Sequence, residues 1–468
     1  MWTKACLLLF GVVTSTPHTA DLRVGAAAGV ITPPPGTPMA GYYNERAAEG
    51  VHDDLFARAV VLEKDGAKAA LVVLDLISTT RTLVEETRRL VESATGIPAA
   101  NVMISATHSH TGPVLRGRGS RDGDFGGENP LTIKYASELP GKVAEVVALA
   151  HSRLRPAVAS VAHGRETAIA FNRRFHMTDG SVGWNPGKLN PKIVKAAGTI
   201  DPDVPIVYFA GAEKEAKPIA TYVNYAVHLD NIGGLQISAD VPGVVTRLLA
   251  DFKGPEMVTL WSAGCCGDIN HIDVRWAEPQ KGFENAARMG TILTAEVLRA
   301  WPQLARVAPG ALRVRSEMVE LDGPPITDED LARAKDVVAR RRDPNAKQPT
   351  FMEQVQAYKA LDVAARGGKP DRVEVQVVAL GNDIAWVSLP GEIFVELGLA
   401  IKQDSPFPHT IIAELANGSI GYVPSRRAYP QGAYEVVSAR CAEGSGERLV
   451  TTAVKLLKAL HTQSSSNP

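Results

Sequence analysis

Short apolar runs rich in β-branched residues alternate with longer amphipathic stretches along the chain, and this alternation constrains its fold most strongly. Residues 57–76, ARAVVLEKDGAKAALVVLDL, predict two strands joined by a tight turn at Asp65-Gly66. Residues 82–96, TLVEETRRLVESATG, predict an amphipathic helix, and residues 101–105, NVMIS, predict a buried strand. Such alternation predicts an α/β fold with a mixed β-sheet core and flanking helices.

The same pattern predicts how the rest of the chain is organised. We expect a single domain over residues 22–462, with a charged helical hairpin inserted at residues 327–367. A helix is predicted from Pro140, with the proline in its first turn. Asp240 is predicted to cap the helix that follows it.

The two ends of the chain differ in composition from the rest. Residues 1–20, MWTKACLLLFGVVTSTPHTA, have one lysine, a short apolar run and then small polar residues, as in a secretory signal peptide. We therefore expect a secreted or periplasmic protein. The apolar run is too short to span a bilayer. Residues 463–468, QSSSNP, predict a disordered tail.

Charge and cysteine content exclude two classes of function. Fifty basic residues against 51 acidic ones leave a net charge of −1, so no basic field exists to attract nucleic acid. Of the four cysteines, Cys6 falls in the predicted signal, Cys265 and Cys266 are adjacent, and Cys441 lies far along the chain. Without a CxxC motif we expect no cysteine-based zinc site, and a disulfide from Cys441 to either adjacent cysteine stays open.

Two histidines follow a predicted buried strand. In residues 101–115, NVMISATHSHTGPVL, one serine separates His108 from His110, and Gly112-Pro113 then ends the strand. Side chains two residues apart in a strand share a face. Both rings are therefore expected at the C-terminal edge of the sheet, where α/β proteins commonly bind ligands. Imidazole is a frequent metal ligand; two hydrogen-bonded loop histidines are the structural alternative.

Other strand ends also carry candidate functional groups. His228 follows the strand-like TYVNYAV, and Glu392 follows Pro-Gly in LPGE, where a carboxylate would ligate a metal or cap a helix. Asp268, in GCCGDINHI, would orient a ligand or accept a proton, or else form an Asx-turn or helix cap. Cys265 would be a nucleophile only if a nearby cation lowered the pKa of its thiol.

A loop near the C-terminus combines glycine and proline with tyrosine and arginine. In residues 416–435, ANGSIGYVPSRRAYPQGAYE, five side chains are available for substrate contact: Tyr422, Arg426, Arg427, Tyr429 and Tyr434. A plain surface loop is the alternative interpretation.

Together, these segments resemble the neutral, non-lysosomal ceramidase family. The block NVMISATHSHTGP closely resembles the family's zinc-binding THTHSGP block, and NYAVH resembles the segment with its second histidine ligand. LPGE and GYVPS resemble its glutamate and tyrosine ligand segments, in the same order. The resemblance runs from about residue 22 to residue 440 and implies a single α/β catalytic domain.

The resemblance also implies a cofactor and roles for individual residues. It implies Zn²⁺ held by four side chains, His108, His228, Glu392 and Tyr422. His110 would be an active-site residue close to the ion rather than a ligand. Arg173, in FNRR, resembles a family arginine close to the scissile amide.

The sequence departs from the family pattern in two places. The family has a serine in a SNxGDxSPN segment, whereas GCCGDINHI has Gly264 or Cys265 at that place. From the length of the sequence we also expect no counterpart of the family's C-terminal β-sandwich domain. The missing serine favours direct attack by water over an acyl-enzyme, and both departures extend the candidate substrates to other amides or esters.

We therefore predict a zinc-dependent hydrolase that cleaves an N-acyl amide bond, in ceramide or a ceramide-like lipid, with metal-activated water. His110 or Asp268 would transfer protons, and Arg173 or Tyr429 would stabilise the oxyanion. Tyr429 and Arg426 are the predicted substrate-binding residues. A lipid substrate would require peripheral contact with a membrane, and no nucleic acid is expected as a partner.

Three alternatives remain at this stage. The same zinc site would serve an esterase or deacylase acting on a non-sphingolipid substrate. A secreted, non-enzymatic protein would bind its ligand through the tyrosine and arginine loop. A cysteine hydrolase would use Cys265. The oligomeric state is left open.

Overall fold

The computed structural model describes residues 22–117, 119–308 and 310–462. The predicted signal peptide, Cys6 and the predicted tail lie outside these ranges and stay predictions. The helices of the described residues are α1 Arg81–Thr95, α2 Pro130–Ser152, α3 Asp240–Lys253, α4 Phe283–Ala300, α5 Asp328–Arg342, α6 Phe351–Ala364, α7 Val395–Asp404, α8 Ala433–Ser438 and α9 Ser445–Thr462.

The strands of the described residues are mostly short and number 22. They are β1 Arg23–Val30, β2 Gly50–Val51, β3 Phe56–Lys64, β4 Ala67–Leu74, β5 Val102–Ala106, β6 Arg155–Arg165, β7 Phe171–Asn172, β8 Arg174–Met177, β9 Val182–Trp184, β10 Ile193–Ala196, β11 Asp203–Gly211, β12 Pro218–Tyr225, β13 Gln236–Ile237, β14 Val258–Ala263, β15 Ile269–Asn270, β16 Ala305–Arg306, β17 Leu312–Leu321, β18 Asp371–Leu380, β19 Ile384–Ser388, β20 Glu392–Ile393, β21 His409–Ala413 and β22 Tyr422–Val423.

The largest sheet has nine strands and curls strongly. Its order is β14-β12-β11-β6-β1-β3-β4-β5, with β16 beside β6. Only β4–β5 and β12–β14 are parallel pairs; the others are antiparallel, so the sheet is mixed, as predicted. β14, at one end, also contacts β3, β4 and β5 at the other. This curvature brings loops from distant parts of the sheet to one place.

A four-stranded sheet, β17-β18-β19-β21, packs against the large one. Apolar side chains from both sheets, including Phe209, Tyr222 and Trp386, form one buried cluster between them. The outer faces are covered by helices: α1 and α2 pack on one part of the large sheet, α3 and α4 on another, and α7 and α9 on the small sheet. The layers explain why the central strands are apolar on both faces.

The predicted hairpin turn at Asp65-Gly66 joins β3 to β4. Both turn residues have a positive φ, 50° for Asp65 and 83° for Gly66. A type I′ turn requires this backbone geometry at both central positions.

The charged segment at 327–367 contains α5 and α6, which pack against each other. Each begins with a capping box, Thr327 with Asp330 and Thr350 with Glu353.

The helix predicted from Pro140 begins ten residues earlier, so that prediction was wrong. α2 starts at Pro130, and the side chain of Asn129 accepts a hydrogen bond from the backbone N–H of Leu131. Pro140 lies inside the helix rather than in its first turn. The pair Asn129-Pro130, an N-cap followed by a proline, was the signal for the true start.

Asp240 does not serve as the predicted N-cap either. It is the first residue of α3, with a left-handed φ of 57°. Its carboxylate accepts hydrogen bonds from the backbone N–H groups of Asn231, Ile232 and Val241, and thereby holds the loop that follows His228.

The described residues contain no disulfide and no helix that could span a membrane. Cys265, Cys266 and Cys441 are buried and free, so no disulfide joins them. Within the described ranges, none of the helices combines the length and apolar character needed to cross a bilayer.

Candidate metal centre

The loop after β5 places His108 and His110. Backbone pairing with the segment after β4 continues past the strand end, because Thr107 N–H donates to Leu74 and His108 N–H donates to Leu76. His108 has a left-handed φ of 73°, an uncommon conformation for a residue with a side chain. The strand alternation that we predicted therefore ends before His108, and the loop brings the two rings together instead. Strained backbone of this kind is common at functional sites.

Three histidine side chains converge at this point. His108 Nε2 lies 3.1 Å from His228 Nε2, and His110 Nε2 lies 3.1 Å from His228 Nε2 and 3.4 Å from His108 Nε2. His228 comes from the loop that follows β12, 118 residues further along the chain than His110. All three side chains are buried. This buried cluster has the composition and spacing to bind a metal ion.

The protonation states of the rings suit this role. His108 Nδ1 lies 2.7 Å from the carbonyl oxygen of Ile77, which can only accept, so Nδ1 carries the proton and Nε2 presents its lone pair to the cluster. Burial lowers the pKa of His110 to about 3 and that of His228 well below its usual value. Neutral imidazole is the form that binds metals.

Glu392 lies beside the histidines, and Tyr422 lies next to Glu392. The short strands β20 and β22 are parallel and place Glu392 opposite Tyr422. Glu392 Oε2 lies 3.6 Å from His108 Nε2 and 4.0 Å from His228 Nδ1, and this buried oxygen has no hydrogen-bond partner. A buried carboxylate oxygen without a partner is costly, so this atom is suited to a cation.

The donor set fits zinc. Zinc–nitrogen bonds of about 2.0–2.1 Å in a tetrahedral site separate neighbouring ligand atoms by about 3.3 Å. The separation of His108 Nε2 and His228 Nε2, 3.1 Å, is close to this value. Imidazole nitrogen and carboxylate oxygen are both ordinary zinc donors.

Arg173 lies behind the centre, in contact with two of the predicted ligands. Its Nη1 lies 3.5 Å from His228 Nδ1, at the outer limit of a hydrogen bond, and its guanidinium lies over the ring of Tyr422, 5.4 Å from the centroid. Its Nε donates to Glu435 Oε1 at 2.8 Å, and its Nη2 donates to the carbonyl of Gly267 at 2.8 Å. Because it does not line the cavity, it is placed to orient His228 and Tyr422.

Asp268 is buried away from the cavity. Its Oδ1 accepts a hydrogen bond from the N–H of Val395, the first residue of α7, and its Oδ2 accepts one from Asn172 Nδ2. Burial raises its pKa to about 6. Gly267, beside it, has no room for a Cβ, which would collide with the carbonyl of Glu392. This turn therefore supports the strand that carries Glu392.

Three other predicted side chains lie outside the cavity. Tyr429 donates its hydroxyl to the carbonyl of Cys441 at 2.9 Å, and Arg426 lies on the surface beside Glu443. Burial raises the pKa of the Cys265 thiol well above its usual value, the opposite of what a nucleophilic cysteine requires. None of the three lines the cavity that contains the histidines.

That cavity measures about 670 Å³, and its lining includes His108, His110, Glu392 and Tyr422. Four aromatic side chains line it as well, Tyr42, Tyr43, Phe125 and Tyr434. Five arginines also line it, Arg81, Arg88, Arg121, Arg366 and Arg440. Sequence reasoning missed these arginines because they are scattered over the chain and follow no motif.

Comparison with known proteins identifies the fold. No protein-family model matches the sequence, and no curated protein matches it significantly. The structure superposes on the crystal structure of neutral ceramidase from Pseudomonas aeruginosa with a TM-score of 0.74 and 20% sequence identity, covering 95% of this chain and 75% of that one. The chain has the neutral ceramidase fold.

A second solved structure agrees with this assignment. A ceramidase complexed with C2 superposes with a TM-score of 0.72 and 17% identity, covering 95% of this chain and 76% of that one. The α/β fold class and the resemblance drawn from the strand-end motifs are confirmed at the level of the fold.

Proposed function

We propose that this chain is a zinc-dependent hydrolase that cleaves an N-acyl amide bond, as in ceramide or a ceramide-like lipid. One observation carries the proposal: the buried cluster of His108, His110 and His228 opens on a cavity in a chain with the neutral ceramidase fold. The composition of residues 1–20 supports the further proposal that the protein is exported.

His108, His228, Glu392 and Tyr422 are the proposed zinc ligands. Metal-binding histidines almost always donate the other ring N–H to a fixed acceptor, and His108 does so to the carbonyl of Ile77. His228 Nδ1 faces Arg173 Nη1 at 3.5 Å, and His110 Nδ1 lies 3.8 Å from Asp230 Oδ1 without a hydrogen bond. Because the Asp230 carboxylate is close enough to stabilise a protonated ring, we assign His110 to proton transfer.

The remaining chemistry is assigned to side chains around the centre. Bound zinc supplies an activated water molecule and polarises the carbonyl of an amide. The neutral Nε2 of His110 faces the same point and would accept a proton, which it would then pass to the amine as it leaves. Arg173 orients His228 and Tyr422, and Asp268 positions the start of α7 without taking part in proton transfer.

Metal content and activity measured together on two variants test this proposal. We expect stoichiometric zinc in the purified protein, loss of both zinc and amidase activity in His108→Ala, and loss of activity with zinc retained in His110→Ala. His461→Ala, in the last turn of α9 and outside the cavity, is the control. Full activity of His108→Ala without metal would overturn the function, and loss of zinc from His110→Ala would overturn the role given to His110.

A further inference from the structure

The carboxylate of Asp230 lies beside His110 with both of its oxygens bound. The Tyr42 hydroxyl donates a hydrogen bond to Oδ1 at 2.5 Å, and Lys281 Nζ donates one to Oδ2 at 2.8 Å. Only 27% of the Asp230 side chain is exposed. Because donors from two other segments of the chain bind its two oxygens, this carboxylate has one fixed orientation.

The oxygen that Tyr42 binds is also the one that faces His110. Asp230 Oδ1 lies 3.8 Å from His110 Nδ1, and that buried nitrogen has no hydrogen-bond partner. The rings of Tyr42 and His110 meet edge to face, with their centroids 5.9 Å apart. Tyr42 therefore contacts both the imidazole and the carboxylate beside it.

Arg46 fixes Tyr42 relative to His110. Its guanidinium lies over the Tyr42 ring, 4.2 Å from the centroid. Its Nη2 donates hydrogen bonds to the carbonyl of His110 at 2.9 Å and to that of Ala40 at 2.6 Å. Its Nη1 donates one to the carbonyl of Gly234 at 2.8 Å. A cation that stacks on the ring and binds three backbone carbonyls leaves that ring little freedom.

Tyr42 reaches both the cavity and this carboxylate. Tyr42 and His110 line the cavity, whereas Asp230, Lys281 and Arg46 do not. Since the Tyr42 hydroxyl is already bound to Asp230, it is placed to act through that carboxylate rather than on a substrate.

We propose that Tyr42 and Lys281 are positioning residues for proton transfer at His110. Together they hold the carboxylate of Asp230 with Oδ1 toward the imidazole, so that Nε2 stays directed at the metal centre. This inference rests on the proposed function. A carboxylate beside an imidazole base fixes the orientation of the ring. Such contacts are often long in an empty site and shorten when substrate binds.

Tyr42→Phe tests the hydroxyl, because it keeps the aromatic ring and removes only the bond to Asp230. Hydrolysis of N-dodecanoylsphingosine by the zinc-loaded protein adds water across the amide and releases dodecanoate and sphingosine. We expect kcat to fall about tenfold, with KM and zinc content unchanged. Tyr135→Phe is the matched control. The Tyr135 hydroxyl donates to the carbonyl of Ile31 at 2.8 Å, outside the cavity, so its loss should leave kcat unchanged.

A double-mutant cycle shows whether Tyr42 acts through Asp230. We expect Asp230→Asn to lower kcat about tenfold or more. Tyr42→Phe should add little to that loss, because the hydroxyl then has no carboxylate to hold. Lys281→Met should also lower kcat, and Lys281→Arg should restore most of it, since arginine is a cation that can donate to Oδ2 as well.

Several results would overturn this inference while the amidase function stands. They are a wild-type kcat in Tyr42→Phe, loss of zinc from that variant, or a raised KM with unchanged kcat, which would mean that the hydroxyl binds substrate. Independent losses that multiply in the double variant would overturn it too. If Tyr42→Phe does not fold, Lys281→Met decides, because wild-type kcat there would exclude the role. A wild-type protein without zinc and without hydrolysis would instead overturn the proposed function, and this inference with it.

Discussion

Glu435 holds two buried arginines together behind the metal centre, and its replacement by glutamine should be costly. The carboxylate is fully buried and accepts hydrogen bonds from Arg173 Nε at 2.8 Å and Arg174 Nη1 at 3.0 Å. The two arginine side chains are only 4% and 2% exposed. Glutamine has one acceptor oxygen and no charge, so Glu435→Gln leaves two buried cations without their counter-charge.

The expected magnitude follows from these contacts. Removing one partner from a buried ion pair typically costs about 3–5 kcal/mol. Arg173 keeps the carbonyl of Gly267, and Arg174 keeps the carbonyl of Gly432, so we expect the lower end, about 3 kcal/mol. Unfolding entropy of about 2 cal/mol/K per residue makes 1 kcal/mol worth about 1 °C in a chain of 468 residues. The variant should therefore melt about 3 °C lower.

Thermal unfolding followed by circular dichroism measures this shift, and Glu86→Gln is the matched control. Glu86 forms a bidentate pair with Arg89 on the solvent-facing side of α1, so its replacement should leave the melting temperature unchanged. Since Arg173 contacts His228 and Tyr422, the Glu435 variant should also lose about tenfold in zinc affinity or activity. A shift no larger than that of the control would refute the claim that this carboxylate stabilises the two arginines.

Two other substitutions give predictions of a different kind. Gly41 has a φ of 107°, and a Cβ there would lie 2.8 Å from His110 Nδ1, so Gly41→Ala should displace the ring and lower kcat at least tenfold with zinc retained. Gly66→Ala is its control, because Gly66 has a similar φ of 83° with nothing within 4 Å; an equal loss of activity there would contradict the steric explanation. Burial raises the pKa of Asp240 from 3.8 to about 7, so the folded protein keeps a proton that the unfolded chain releases, and stability should fall as the pH rises from about 4 to about 7. Three pKa units correspond to about 4 kcal/mol at most. Urea unfolding across this range should show a smaller loss in Asp240→Asn than in the wild type, because other buried carboxyls such as Asp268 titrate in both; parallel curves would exclude it.

Local signals in the sequence predicted the presence of strands, turns and helices more reliably than the residues at which the helices begin. The turn at Asp65-Gly66 and the strand that precedes His108 rest on contacts between neighbouring residues, and both are present. The predicted start of α2 at Pro140 is wrong because a helix of 23 residues also tolerates a proline in its interior. Asp240 fits the local pattern of a helix cap, but its carboxylate binds the backbone N–H groups of Asn231 and Ile232, and the local pattern does not contain these contacts.

The sequence by itself determined the alternation of strands and helices, and it marked His108 and His110 at a strand end, because periodicity and turn chemistry act over a few residues. Only the tertiary structure decided which distant groups would meet. His228 and Glu392 reach His108 because the large sheet curls and the small sheet packs against it, whereas Tyr429 and Arg426, from the same loop as Tyr422, face elsewhere. The buried pair of Arg440 and Asp362 likewise joins residues 78 positions apart along the chain. Contacts between such distant residues depend on how apolar faces pack across the whole domain, and no short stretch of sequence encodes that packing.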